Sequence, residues 1–329
     1  MNRISALGSI VALLCFLAAP AAAQQNAAEH FKAIVKVTST VPGEARTAGT
    51  LGTTREGTGV VLDSEGLIVT IGYVILEASA VEIETAAGKK IPAEIVAYDH
   101  DTGFGVIRTA TPPGVKPLEL GSSKDLAEKQ PVLVAAYGGA ASAIGAFVVD
   151  RRDFAGYWEY LLENAIFTSP PFAQFGGAAL IDAGGKLVGI GSLIVPNAME
   201  QDGGTLPGNM FIPIDALKPI LGDLISKGRS SKKNRPWLGL YSEMFRGRLF
   251  VSRVPESGPA WAAGIRPGDM VLGVAGKPVT GLADFYRKVW TLGDPGVEVP
   301  LLVLRGNQPS EMTIKSTDRY KWLRLNPTY

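Results

Sequence analysis

Apolar residues along most of this chain come in short, β-branched runs separated by Gly, Asp and polar turns, which is the pattern of strands. Ala33 to Thr40, with Ile34, Val35, Val37, Thr38 and Thr40, predicts a strand, and a polar loop rich in Gly and Thr follows from Val41 to Glu56. Gly57 to Thr70 predicts a hairpin turning at Asp63-Ser64-Glu65-Gly66. Ala178 to Ile190 repeats that grammar around Asp182-Ala183-Gly184-Gly185, behind a Gly-rich entry loop. Val81–Thr85 and Ile91–Ala97 alternate about Gly88-Lys89-Lys90, and Pro131 to Tyr137 reads as a further strand. Beyond the polar stretch Ser226–Asn234 the period changes once. Leu282, Phe285, Tyr286, Val289, Trp290 and Leu292 have helical spacing, ahead of closing strands at Val297–Leu304 and Met312–Ser316.

Composition bounds what these elements can build. The chain has 329 residues, 46% of them hydrophobic, enough for two domains with buried cores. A net charge of +1, with no Lys/Arg block longer than Lys232-Lys233, gives no basis for a nucleic-acid partner or an anionic lipid surface. Met1-Asn2-Arg3, the apolar run from Ile4 to Leu17 and the small residues Ala21-Ala22-Ala23 read as a secretory signal over residues 1–23. A periplasmic or secreted protein starting near Gln24 is expected. The single cysteine, Cys15, lies inside that signal, so the exported chain would hold no disulfide, thiolate metal site or cysteine nucleophile. Its two histidines, His30 and His100, are too few for a His-rich metal site and read as solvated positions. No metal or cofactor is expected.

The chemistry-bearing stretch is Thr168-Ser169-Pro170-Pro171-Phe172-Ala173-Gln174-Phe175-Gly176-Gly177-Ala178-Ala179-Leu180. It resembles the nucleophile loop of trypsin-like serine proteases of the HtrA (Deg) family, which reads Gly-Asn-Ser-Gly-Gly-Pro-Leu. The resemblance puts the nucleophilic serine at Phe175, with Gly176 and Gly177 kept and Ala178 in place of Pro. Thr70-Ile71-Gly72-Tyr73-Val74-Ile75 is similar to the family's Thr-Asn-x-His-Val-Val, so Tyr73 stands at the general base. Asp99-His100-Asp101-Thr102-Gly103-Phe104-Gly105-Val106-Ile107 is similar to Asp-x-x-x-Asp-Leu-Ala-Val-Leu, so Gly103 stands where an Asp orients that base. Leu118–Leu126 and Phe211–Ile220 also follow the family, whereas Arg151 to Tyr160, with Phe154, Tyr157, Trp158 and Tyr160, departs from it as a variable aromatic loop.

Downstream, Arg235-Pro236-Trp237-Leu238-Gly239-Leu240, Val251–Val254 and Ala263-Gly264-Ile265-Arg266-Pro267-Gly268-Asp269 resemble an HtrA-type PDZ domain. The implied fold is mainly β: a trypsin-like double β-barrel over residues 27–225, a linker at 226–234, a small α+β PDZ domain at 235–318 and a tail at 319–329 without a placeable motif. The PDZ resemblance implies that backbone N–H groups of Leu238, Gly239 and Leu240 receive a peptide carboxylate. The strand entered at Tyr241 would pair with the peptide, and Phe285 and Val289 would line an apolar side-chain pocket. A loop indifferent to free carboxylates would instead make the domain a docking surface for its own barrel or a neighbouring subunit.

Acyl transfer in this fold needs a hydroxyl nucleophile, a base in reach and a group that fixes the base. Phe175 cannot attack, a phenol with an ordinary pKa of about 10 is a poor base near neutrality, and Gly103 orients nothing. The expectation is a pseudoprotease, not an enzyme, that binds peptide C-termini or unfolded segments in a scaffolding, regulatory or quality-control role. A hydrolase rearranged around His100 with Ser169, Ser192 or Thr168 is one alternative; an inactive subunit tuning an active HtrA homologue is another. Trimerisation is implied by the resemblance only. Tyr73 and Phe175 either pack together and fill the former cleft or floor a peptide site.

Overall fold

The computed structural model describes residues 29–201 and 203–325, so the expected signal at 1–23 and the end of the tail lie outside the described residues. Strands β1 (Ile34–Thr40), β2 (Thr54–Val61), β3 (Leu67–Ile71), β4 (Ala80–Glu84), β5 (Lys90–Tyr98) and β6 (Phe104–Thr109) close a barrel in the order β1-β2-β3-β6-β5-β4. β1 closes it by pairing antiparallel with β2 on one side and with β4 on the other. Strands β7 (Pro131–Ala135), β8 (Ala143–Gly156), β9 (Tyr160–Ser169), β10 (Ala179–Ile181), β11 (Leu187–Gln201) and β12 (Gly204–Pro213) close a second barrel in the matching order β10-β11-β12-β9-β8-β7. Closure removes the unpaired strand edges. The β-branched runs supply the inner faces: Val35, Val37, Ile68, Val106 and Ile107 are fully buried in the first barrel, and Val134, Leu180, Val188 and Phe211 in the second.

The third unit is an antiparallel sheet, β13 (Tyr241–Phe245), β14 (Arg248–Arg253), β15 (Met270–Val274), β16 (Lys277–Pro278), β17 (Glu298–Arg305) and β18 (Gln308–Lys315), ordered β13-β14-β15-β17-β18 with β16 on β15. The helix Leu282–Trp290 covers it, burying Phe285, Tyr286 and Val289. β13 and β18 are the sheet's edge strands.

Three local expectations are corrected. The loop from Val41 to Glu56 contains a short helix, Ala48–Leu51, and joins β2 at Thr54. The stretch from Arg151 to Tyr160 is no loop: β8 and β9 pair through Arg152↔Ala165, Phe154↔Leu162 and Gly156↔Tyr160, leaving Tyr157, Trp158 and Glu159 as the tip. Its alternating aromatic and apolar residues suit a long ribbon. The linker begins later than expected, because Ser226 and Lys227 complete the helix Leu221–Lys227, which ends at Gly228 with φ +72°.

The tail is also structured. Asp318 caps a short helix, Arg319–Trp322, by accepting the Tyr320 N–H at 3.0 Å. The helix lies on the first barrel, where the Tyr320 hydroxyl donates to the Tyr98 carbonyl at 2.8 Å, and Trp322 sits on Trp237 with ring centres 4.7 Å apart. The Arg324 N–H donates to Glu77 at 2.7 Å. Glu77 is 2% exposed and also accepts the N–H groups of Arg46 (3.2 Å) and Thr47 (2.8 Å) and the Thr47 hydroxyl (2.7 Å). A single carboxylate thus ties the Ala48–Leu51 corner to the end of the chain. Glu77→Ala would strand several buried donors, and a loss of about 3 kcal/mol in urea unfolding is expected, with Arg324 amide protection lost in the same variant.

Candidate functional site

The Gly-rich loop before β10, the stretch that resembles a nucleophile loop, is fixed by its own backbone contacts. Gly177 takes φ +80°, and a Cβ there would lie 2.0 Å from the Thr58 carbonyl oxygen, so only glycine fits. The Gly177 N–H donates to Gly191 O and the Thr58 N–H to Gly176 O, both at 2.8 Å, which binds the loop to both barrels. The residue so presented is Phe175, half-buried and without a hydroxyl. Tyr73, on the short helix Gly72–Ile75 after β3, donates its hydroxyl to the Ser192 carbonyl at 3.0 Å. Burial pushes its phenol well above the ordinary value, away from any role as a base. Gly103 lies beside Tyr73's helix, its carbonyl accepting the Gly72 N–H at 2.7 Å. It has φ +89°, and a Cβ there would lie 3.3 Å from the Tyr160 hydroxyl and 3.2 Å from Ile212. Tyr160, which spends its proton on Thr102 O at 2.6 Å, therefore stands over the position where an orienting carboxylate would project.

These three positions line one cavity of about 350 Å³ at the junction of the barrels, together with Ser192. Tyr73 and Phe175 do not form a ring pair among the described residues, and the cleft is not filled as the first of the two expectations had it. The hairpin tip and the tail also line it, through Trp158, stacked on Tyr160 at 5.5 Å, and Trp322. His100 also lines this cavity, and it is buried at 8% exposure rather than solvated. Its Nδ1 lies 3.1 Å from Asp101 and its ring 4.7 Å from that of Tyr320. Its Nε2 has no hydrogen-bond partner among the described residues, so neither candidate serine is bonded to it: the Ser169 hydroxyl donates to Pro207 O at 3.0 Å, and Ser192 lines the same cavity without bonding to His100.

The second site is the loop between the linker and β13, and it is occupied by the protein itself. The Leu238 and Leu240 N–H groups donate to the two carboxylate oxygens of Glu159, at 2.9 and 2.8 Å. Gly239 between them has φ +76°. On edge strand β13 the Ser242 N–H donates to the Tyr157 carbonyl at 3.0 Å, and the Tyr241 ring lies 5.9 Å from that of Tyr157. Tyr286 of the covering helix accepts the Glu159 N–H at 3.1 Å and donates to Gly156 O at 2.7 Å, holding both ends of the tip. Phe285 and Val289 are fully packed, and Leu161 of β9 belongs to the same buried cluster. The N–H groups and the strand edge that the resemblance assigns to a peptide are thus engaged by the hairpin tip of the same chain. Buried backbone donors require partners, and the β8–β9 ribbon is long enough to bring them. The one signal in the sequence was an acidic residue enclosed by aromatics, Tyr157-Trp158-Glu159-Tyr160.

Burial is the largest influence on Glu159 and pushes its carboxyl up to about 7 from an ordinary 4.5. The N–H groups of Leu238, Leu240 and Gly239 and the charge of Arg319 pull the other way. Arg319 also donates to the Trp158 carbonyl at 3.2 Å.

Two six-stranded barrels, followed by a six-stranded sheet with a covering helix and a carboxylate loop, define a serine-protease fold joined to a peptide-recognition module. Comparison with protein families agrees. Residues 57–190 match the trypsin-like peptidase domain and residues 236–316 the PDZ domain, and the chain is homologous to the DegP/HtrA serine proteases. Over 261 residues it is 26% identical to the periplasmic serine endoprotease DegP of Salmonella typhimurium, an alignment covering 76% of this chain and 54% of that protein. Over 300 residues it is 28% identical to the serine protease Do-like HtrA of Lactobacillus helveticus, covering 81% of this chain and 70% of that one. The chain thus spans about half the length of such DegP relatives. The solved HtrA-type protease AlgW with tripeptide matches at a TM-score of 0.52 and 21% identity, over 92% of this chain and 98% of that one. A serine endoprotease from Yersinia pestis matches at 0.52 and 23%, over 91% and 99%. Both likenesses concern the fold.

The raised carboxyl of Glu159 fixes the sign of a pH effect. Its contribution to stability is complete below about 4.5, the ordinary value, and is lost as pH rises through about 7. The change over that window is about 3 kcal/mol. Chemical denaturation between pH 4.5 and 8 should show the native protein losing stability relative to Glu159→Gln by that order. Parallel pH profiles for the two proteins would contradict a buried, shifted carboxyl.

Proposed function

We propose that this chain is an exported HtrA-like protein that does not hydrolyse peptides and acts by binding peptide ends or unfolded segments through its PDZ domain, in a scaffolding or regulatory role. The observation that supports the first part is the fate of the three triad positions. Phe175 offers no nucleophile, Tyr73 commits its hydroxyl to Ser192 O, and the space beside Gly103 is taken by Tyr160. Without nucleophile, base and orienter, such a fold retains only the residual acceleration of binding and oxyanion donors, on the order of a thousandfold over water, which is negligible for peptide hydrolysis. Against the rearranged hydrolase, His100 faces Asp101 and Tyr320, the Ser169 hydroxyl faces Pro207, and Ser192, which lines the same cavity as His100, makes no hydrogen bond to it among the described residues. Export is supported by the signal-like residues 1–23 and by relatives described as periplasmic.

The second part rests on the chemistry of the PDZ loop: its two N–H groups hold a carboxylate, one oxygen each. That is the group a polypeptide C-terminus presents.

Purified protein is expected to leave unfolded casein uncut and to take no fluorophosphonate label. Phe175→Ser alone is expected to stay inactive, because base and orienter would still be missing. Casein cleavage abolished by Ser169→Ala or Ser192→Ala would contradict the reading, and so would hydrolysis gained by Phe175→Ser alone.

A further inference from the structure

The occupied carboxylate loop carries an inference about how the PDZ domain is controlled, and it rests on the peptide-binding reading above. We propose that Glu159 is a built-in ligand of the PDZ domain, and that the C-terminal carboxylate of another polypeptide enters the loop only by displacing the Gly156–Tyr160 hairpin tip.

The tip supplies a carboxylate to the loop and one backbone acceptor to the edge strand, two of the contacts that an extended peptide ending in a carboxylate would make. The Glu159 carboxylate takes the Leu238 and Leu240 N–H groups, and the Tyr157 carbonyl takes the Ser242 N–H on the edge strand. Both contacts would have to be given up for a second ligand to bind, so the two occupants exclude one another.

The backbone of the tip points the same way. Gly156 pairs with Tyr160, so Tyr157, Trp158 and Glu159 form a three-residue hairpin loop, and Glu159 takes φ +56°. The third residue of such a loop is usually glycine, because a side chain disfavours that left-handed conformation. A glutamate is kept here against the backbone preference, and what it gains is the contact of its side chain. The Tyr286 hydroxyl then grips Glu159 and Gly156 together, which fixes the loop against the PDZ helix.

The arrangement is also suited to exchange. Tyr157 is 47% exposed at the rim, and the Leu238 and Leu240 contacts are hydrogen bonds to one side chain. A tethered ligand competes at an effective concentration in the millimolar range, so it blocks weak peptide ligands while yielding to strong ones.

Position 159 allows a variant that removes the ligand without straining the hairpin. Glu159→Gly deletes the carboxylate and places at φ +56° the residue that suits it. Tyr286→Phe leaves the carboxylate and removes the hydroxyl that clamps the tip. The full chain lacking its first 23 residues would be titrated, as native protein and both variants, with fluorescent decapeptide pools ending in Val, Leu or Phe. Each pool would be used with a free carboxylate and with an amidated terminus, and binding read by anisotropy.

Glu159→Gly is expected to bind the free-carboxylate pools at least about tenfold more tightly than the native chain, Tyr286→Phe to fall between, and amidated pools to bind none of the three. Equal affinities for native and Glu159→Gly protein would overturn the built-in ligand while leaving peptide binding in place. Absence of binding to every protein would remove the peptide-binding function itself, and the exchange with it.

Discussion

Two backbone N–H groups in a dry corner, those of Leu238 and Leu240, determine how the halves of this protein fit together. Such donors demand acceptors, and a buried carboxylate demands donors; Glu159 and the PDZ loop answer both demands at once. Around that contact the ribbon β8–β9 is held at its tip by Tyr286 and along its flank by Leu161 in the PDZ cluster. The return path is the tail, which leaves β18, turns at the helix Arg319–Trp322 and ties back to Glu77 of the first barrel. The barrels and the PDZ domain are thus joined at both ends of the PDZ chain segment.

The cavity between the barrels lies beside this joint. Trp158 and Tyr160 of the same ribbon and Trp322 of the tail enclose the cavity that Tyr73, Gly103 and Phe175 line. The substitutions agree with one another: at Gly103 no carboxylate projects and the Tyr160 hydroxyl lies where its Cβ would be met, while Tyr73 is bonded to β11. Tyr73, Tyr160 and Phe175 bring large aromatic groups to this cavity, yet a mostly apolar space remains between them.

Much of the fold was legible because it is written in local grammar. Strand periodicity, the Asp-x-x-Gly turns and the glycines at Gly176 and Gly177 mark the hairpins, and the Ala263–Asp269 string marks the PDZ domain. Tyr73, Gly103 and Phe175 could be singled out because the stretches around them resemble the family's motifs. What stayed hidden depends on distant residues meeting. The Arg151–Gly156 segment looks like part of a variable loop until its pairing with Tyr160–Ile166 is seen, and nothing local ties Glu159 to a loop some 80 residues later. The open groove was inferred from a module considered alone, whereas its donors are satisfied by another part of the chain. His100 looked solvated for the same reason: Tyr320, which covers it, comes from the far end of the sequence.

Amide hydrogen exchange at Leu238 and Leu240 in the intact chain tests most directly whether the Glu159 carboxylate is what joins the two parts. Both amides should be strongly protected in the native protein and lose at least about tenfold of that protection in Glu159→Gly, while Val271 in β15 exchanges as before. Equal protection of Leu238 and Leu240 in the two proteins would contradict it.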